Sequence, residues 1–219
     1  MDVSSIAVQI LGKVLYLIPI AIIVLIIKTP WFKGIVGEFY INVLAKMLLD
    51  KKEYHLIKNV ILSTDGGSTQ IDHIIVSVFG VFVVETKNMK GWIFGNETEN
   101  TWTQKIYKHS NKFQNPLRQN YKHIKTLQEL LGLKDTQIHS LVVFVGDSTF
   151  KTQMPKNVTY GGGYIRFIKS KEQRVLSPKG VIEIIKTIET SRSTSSYANY
   201  RGHIKHVSNI MKEKQSEPS

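Results

Sequence analysis

Hydrophobic positions crowd the start of the chain without any period. From Val3 to Ile27 only Lys13 is charged, and the run Val14 to Ile27 is apolar throughout. That run alone is too short to cross a bilayer, which takes about 20 helical residues. A Lys13 ammonium that snorkels to the headgroups extends the span back to about Ser5. Pro19 is tolerable in a membrane helix, where neighbouring groups re-satisfy the freed carbonyl. The start carries Asp2 in place of a basic segment and lacks a small-x-small cleavage site, which favours an uncleaved anchor over a signal peptide. Lys28 and Lys33 follow the span, with Trp31 and Phe32 as interfacial anchors. The positive-inside rule then predicts a single-pass protein of the cell membrane whose bulk faces the cytoplasm.

Beyond the span the pattern becomes periodic. Phe39, Val43, Leu44, Met47 and Leu48 recur at helical spacing and predict a helix over 37–49, with Glu38 at its start. Residues 54–62 read as a strand, and Thr64 to Thr69 as a turn rich in breakers. Two strong β runs, 70–78 and 81–87, flank Phe79-Gly80 and predict a hairpin. A Gly-rich aromatic stretch (Gly91, Trp92, Phe94, Gly95, Trp102) predicts a further strand or two. Asn115-Pro116 opens a helix that runs through Leu131 to a Gly132 stop. Leu141 to Val145 reads as a buried strand; after the Tyr160 to Tyr164 glycine loop comes Ile165 to Ile168, given no element, and then a helix over about 178–189. Polar segments at 191–196 and 215–219 predict a linker and a disordered end. This order predicts an α/β sandwich with a central mixed sheet. The expected division is an anchor over 1–28, a domain over 34–190 and a polar tail over 191–219.

Charge narrows the partners. Lys and Arg number 29 against 17 Asp and Glu, a formal excess of +12. The first 27 residues hold one Lys and one Asp, so the excess belongs to the rest of the chain and favours polyanions such as nucleic acid or an anionic membrane. Solubility and positive-inside anchoring are the plainer explanation. With no cysteine in the chain, disulfides, zinc-thiolate sites and cysteine nucleophiles are excluded. No paired histidine spacing suggests a zinc site either. Lys105, Lys108, Lys112, Arg118, Lys122 and Lys125 alternate with Trp102, Tyr107, Phe113 and Tyr121. They form the candidate nucleic-acid surface, since phosphates want cations and unpaired bases want aromatic faces. The alternative is that the aromatics are core and the lysines merely solvated.

Two short runs hold the candidate chemistry: Gln70-Ile-Asp72-His73 and Val83-Val-Glu85-Thr-Lys87-Asn88. Side chains two apart in a strand share a face, so Glu85 and Lys87 point together. A two-residue Phe79-Gly80 loop sets Val78 opposite Val81 and Asp72 opposite Lys87, which crowds both carboxylates and the lysine onto one patch. A three-residue loop would break that register. Adjacent carboxylates repel unless neutralised, and hard oxygen donors suit Mg²⁺ or Mn²⁺. Such a cation with a positioned lysine fits phosphodiester hydrolysis. The alternative is an ordinary surface Glu-Lys pair and a turn aspartate. His73, next to Asp72, reads as a packed histidine.

The series Gly37-Glu38, Gln70-Ile-Asp-His73, Gly80-Val-Phe-Val-Val-Glu-Thr-Lys-Asn88, Gly91, Trp102 and Asn115-Pro-Leu-Arg-Gln119 resembles the NERD (nuclease-related) domain. It covers about residues 34–145. The resemblance implies a restriction-endonuclease-like PD-(D/E)xK sandwich with Asp72, Glu85 and Lys87 as its metal-binding and catalytic set. It further implies that Glu38 is an accessory metal ligand on the first core helix. Gln119 corresponds to the glutamine of a QxxxY motif whose tyrosine is replaced here by His123, and Ile71 stands where proline can precede the aspartate. The function implied is a membrane-anchored, Mg²⁺- or Mn²⁺-dependent nuclease acting on nucleic acid, DNA ahead of RNA, without a small-molecule cofactor. Homodimer formation is compatible with such a fold. The rival is a non-catalytic nucleic-acid-binding or scaffolding module at the membrane.

Overall fold

The computed structural model describes residues 3–64 and 67–192, with side chains from residue 16 onward. The side chain of Lys13, the tip of the 64–69 turn and the tail from residue 193 lie outside the described residues. Two helices open the chain, α1 (Val3–Lys28) and α2 (Pro30–Leu48). The Thr29 side chain caps α2 by accepting from the Phe32 amide, and Pro30 fills the first turn, where a missing N–H costs nothing. Helix α2 therefore starts seven residues before the expected 37, and Glu38 lies in its middle, not at its start. The early turns hid because apolar residues surround the helix there and no polar face marks a period. No single helix among the described residues is long and apolar enough to cross a membrane. Tyr16–Lys28 and Pro30–Leu48 pass that test only together, as a pair bent by 66°.

The central sheet is built from β1 (His55–Thr64), β2 (Gly67–Ser77), β3 (Gly80–Asn88), β7 (Ile138–Val145) and β9 (Val158–Tyr160), in the order β1-β2-β3-β7-β9. The first three strands are antiparallel, and β3-β7-β9 are parallel, so the sheet is mixed. One face is covered by α2 and α4 (Gly163–Lys169): Ile41, Ala45, Tyr164 and Ile168 pack on Phe82, Val84, Leu141 and Val143. The other is covered by α3 (Pro116–Leu131) and the helical residues 178–192 (α5), where Leu127, Ile184 and Ile188 meet Ile74, Val76, Val81 and Val83. The result is the expected α/β sandwich. The helix α3 has the expected limits, with the Asn115 side chain accepting from the Leu117 amide and Gly132 left-handed at φ 66°.

A second sheet, β6-β5-β4-β8, comprises β4 (Gly91–Phe94), β5 (Thr101–Ile106), β6 (His109–Gln114) and β8 (Ser148–Phe150). It packs through Ile93 and the fully buried Trp102 against Val142, Phe144 and Val158. Residues 165–168, to which the sequence pattern assigns no element, lie in α4, where Tyr164, Ile165 and Ile168 are buried at a spacing of one helical turn.

Candidate active site

The hairpin turn is Val78-Phe79, one residue earlier than expected, because Ser77 pairs with Gly80. The Ser77 hydroxyl accepts from the Phe79 amide at 3.1 Å. Gly80 has φ 127°, and a Cβ there would come within 2.9 Å of the Gln137 carbonyl, so it begins the strand instead of ending the turn. This moves the register by two residues relative to the expected one, an even number that leaves every side chain on its face. Asp72 therefore falls level with Glu85 and not with Lys87.

Asp72 itself stands outside both ladders. Pairing of β1 with β2 runs Lys58 to His73, skips Asn59 and Asp72, and resumes at Val60 with Ile71, while β2–β3 pairing stops at His73 with Val84. Asn59 is left-handed, at φ 51°, a region that asparagine tolerates better than branched residues. Both strands slip there: Ile57 and Val60, and likewise Ile71 and Ile74, face the same core though three residues apart. The break releases the Asp72 carboxylate, whose Oδ2 accepts from the Thr86 amide at 3.1 Å. It is thereby held against β3 between Glu85 and Lys87.

Glu85 is buried, and Lys87 Nζ contacts its Oε1 at 2.7 Å. Lys87 also donates to Gln119 Oε1 at 3.0 Å. One turn along α3, His123 Nε2 faces Glu85 Oε2 at 3.5 Å, and Thr69 Oγ1 lies 2.8 Å from its Nδ1. With the Thr69 hydroxyl donating to Nδ1, the tautomer protonated on Nε2 turns that N–H toward Glu85 without closing a hydrogen bond. At that distance Glu85 Oε2 has no hydrogen-bond donor although it is buried. Asn120, buried beside them, fastens α3 to the sheet by donating to Val83 O at 2.9 Å and Ser140 Oγ at 3.0 Å. Sequence reading singled out Gln119 but missed Asn120 and left His123 without a role. Only the docking of α3 brings them to the site, and an N-x-x-H spacing announces nothing by itself.

Electrostatics separates the acids. Burial pushes the Asp72 carboxyl up to about 7, reinforced by the Glu85 charge and opposed by the Thr86 amide. Burial also raises Glu85, but the His123 ring and the Lys87 ammonium more than reverse it, and its pKa is lowered. Glu38, reached from α2, is raised by burial and then by the Glu85 charge. Its backbone position depends on Gly37: a Cβ there would lie 3.0 Å from both Asn88 Cβ and Val145 Cγ2, so glycine lets α2 sit directly on the ends of β3 and β7. His73 is the packed histidine expected. Its ring is buried, and that burial lowers its pKa to about 4, opposed by the nearby Glu38 backbone.

The fit to a divalent cation rests on the two sheet carboxylates. Glu85 Oε2 is a buried lone pair without a hydrogen bond, and the Asp72 carboxyl is pushed up by burial and then by the Glu85 charge; a hard dication would relieve both. Among the described residues no group of three His, Cys, Asp or Glu side chains is gathered to hold a metal, so Glu38 is a neighbour of the pair and not part of a formed triad.

The cationic residues divide between the second sheet and α3. Lys105 on β5 and Lys112 on β6 share the outer face of the second sheet, Lys108 lies in the turn between those strands, and Arg118 and Lys122 are on α3. Arg118 Nη2 donates to the Thr98 carbonyl at 2.8 Å, and Lys125 turns to Gln128 and Asp135. Trp102 is core. The aromatic on the outer face is Trp92, half exposed, paired across from Lys105 and covered by the Lys151 ammonium 4.8 Å from its ring centre. A cleft of about 410 Å³ runs beside it, lined by Lys90, Trp92, Lys105, Tyr107 and Asp147. This cleft does not contain the carboxylates. The acid-lysine cluster lies instead on β2 and β3, inside the central sheet, with Glu85 buried.

Fold and cluster together define a nuclease-related α/β domain with an Asp…Glu-x-Lys centre. The sequence profile of the NERD family, the nuclease-related domain, matches residues 33–145, and the chain belongs to that family. It is also 49% identical over 105 residues to an uncharacterized protein of Bacillus anthracis. That match covers 47% of this chain, and the chain spans about half the length of the relative, 48%.

Proposed function

We propose that this protein is a membrane-anchored, Mg²⁺-dependent nuclease that hydrolyses phosphodiester bonds, of DNA ahead of RNA. The observation that carries the reading is the convergence of Asp72 and Glu85 with a lysine held from two sides, by Glu85 at 2.7 Å and by Gln119 at 3.0 Å. Asp72 and Glu85 would hold the cation, with Glu38 within electrostatic reach. When bound, Mg²⁺ supplies charge stabilisation at the phosphate and lowers the pKa of water. The Lys87 ammonium is placed to orient the nucleophile or offset charge developing on phosphate oxygens. Gln119 keeps it aimed, and the Thr69–His123 pair buttresses Glu85. Lys105, Lys108, Lys112 and Lys122 would guide the polyanion. The bent pair Tyr16–Lys28 and Pro30–Leu48, apolar and long enough only together, is compatible with the anchor, and Lys28 and Lys33 beside the bend support a cytoplasmic domain on a single-pass protein. Residues 34–190 would form the domain, and self-pairing of such domains is compatible with this reading.

The test is cleavage of DNA and RNA by the full chain in detergent with Mg²⁺, Mn²⁺ or chelator. Cleavage is expected only with metal, and Lys87→Ala is expected to lower it by about 10²–10³-fold. A second reading, a binding module without catalysis, is favoured by the lack of a gathered three-acid set among the described residues. Tight binding without cleavage, unchanged by Asp72→Asn, would support that reading and overturn the enzyme.

A further inference from the structure

Helix α2 is apolar on both sides. Gly37, Ile41 and Ala45 pack on the sheet. On the opposite side Trp31, Ile35 and Phe39 follow one another at four-residue spacing, and Val36 and Tyr40 flank them. Trp31 is 70% exposed and Phe39 67%, so two large aromatic side chains stand away from the protein. A helix that is hydrophobic all round belongs in a core or in lipid, and here the core takes only one side.

Three observations indicate what covers the other. The exposed surface continues that of α1, where every residue from Tyr16 to Ile27 is exposed. Thr29 alone separates the helices. Its hydroxyl donates to the Ile26 carbonyl at 2.6 Å and accepts from the Phe32 amide at 3.2 Å, so the 66° bend is a hydrogen-bonded joint. A crossing helix bent that far carries its continuation closer to the membrane plane than to the normal. Lys28 and Lys33 flank the joint, where anionic headgroups attract cations and tryptophan prefers the interface.

We infer that residues 30–40 lie in the membrane–water interface with Trp31, Ile35 and Phe39 dipped into the acyl boundary. The acidic centre beside Glu38 then works at the lipid surface. The apolar contact extends over about 12 Å at ~1.5 Å per residue, and interfacial helices bury this kind of face to a depth of about 5–10 Å. The inference rests on the anchor reading and deepens it: the domain is laid on the bilayer in a fixed pose instead of swinging from a tether.

The test uses the full chain in vesicles of phosphatidylcholine and phosphatidylglycerol. Phe39→Trp is placed in a Trp31→Phe background and compared with that background, so the difference isolates one indole at position 39. Its emission is expected to be blue-shifted, strongly quenched by lipids brominated high on the acyl chain, and shielded from iodide. Adding Ile35→Glu, on the same exposed face, should move it toward iodide access. Quenching by iodide and not by bromolipid, in a chain that still floats with the vesicles, would overturn the interfacial pose and leave the anchor standing. Shielding from both quenchers, with cross-linked dimers, would overturn it in favour of a second copy of the chain. A chain that does not float at all would remove the anchor and the pose together, while leaving the nuclease cluster untouched.

Discussion

His123 and Asn120 determine how the central acid and lysine sit, and neither could be singled out by spacing alone. Glu85 and Lys87 were legible because a strand places residues two apart on one face, and their 2.7 Å contact realises that placement. The role of His123 depends on α3 lying over β2 and β3, where Thr69 and Glu85 meet its two nitrogens. As a support for a proposed metal-holding carboxylate, it carries a clear expectation. His123→Ala should raise the Mg²⁺ concentration needed for half-maximal cleavage by about 10–100-fold, read from metal titrations of the cleavage rate. An unchanged titration would reduce the histidine to packing. The Trp102 side chain gives the opposite lesson: sequence alternation allowed it as a base-stacking aromatic, but its ring fills the space between the sheets, and Trp92 faces outward.

Elements with marked ends were readable, and those without were not. Helix α3 announces itself with Asn115-Pro116 and Gly132, and the β2–β3 hairpin with two β runs around a glycine. The early turns of α2 merge with the anchor's pattern, the short strands β4–β6 mix polar with apolar positions, and the seven residues of α4 are too few to show a period. The slip at Asn59 and Asp72 was invisible, since a pairing break leaves no composition signal. It has a consequence for function, because it frees the Asp72 carboxylate to reach the Thr86 amide. Asn59→Val forces a branched residue into left-handed backbone and should cost about 1–2 kcal/mol of stability, with a matching fall in cleavage by the folded fraction as Asp72 moves. Asn59→Gly should retain both. Chemical denaturation alongside single-turnover rates checks the pair, and equal behaviour of the two variants would mean the slip does not position the aspartate.

Across the whole molecule, two asymmetries point in different directions. The apolar asymmetry lies at the N-terminal helices, and the charge asymmetry is the +12 excess, most of it carried by the residues after them. Lys105 and Lys112 on one face of the second sheet, with Lys108 in the turn between their strands, form the compact part of that charge. If they contact phosphates, each adds about 0.9 to the slope of log affinity against log salt on duplex DNA. The triple alanine variant should flatten that slope by about 2 to 3 and weaken binding evenly across sequences. A slope equal to wild type would remove this surface from the substrate path.

The central proposal is that Asp72 and Glu85, whose charges repel across the site, hold a divalent cation between them. Mn²⁺ titration followed by electron paramagnetic resonance, on the full chain in detergent without nucleic acid, tests this directly. The account predicts saturable binding that is lost in Asp72→Asn and in Glu85→Gln but survives Lys87→Ala. Wild-type protein that leaves the free Mn²⁺ signal undiminished, or binding that persists in both carboxylate variants, would contradict it.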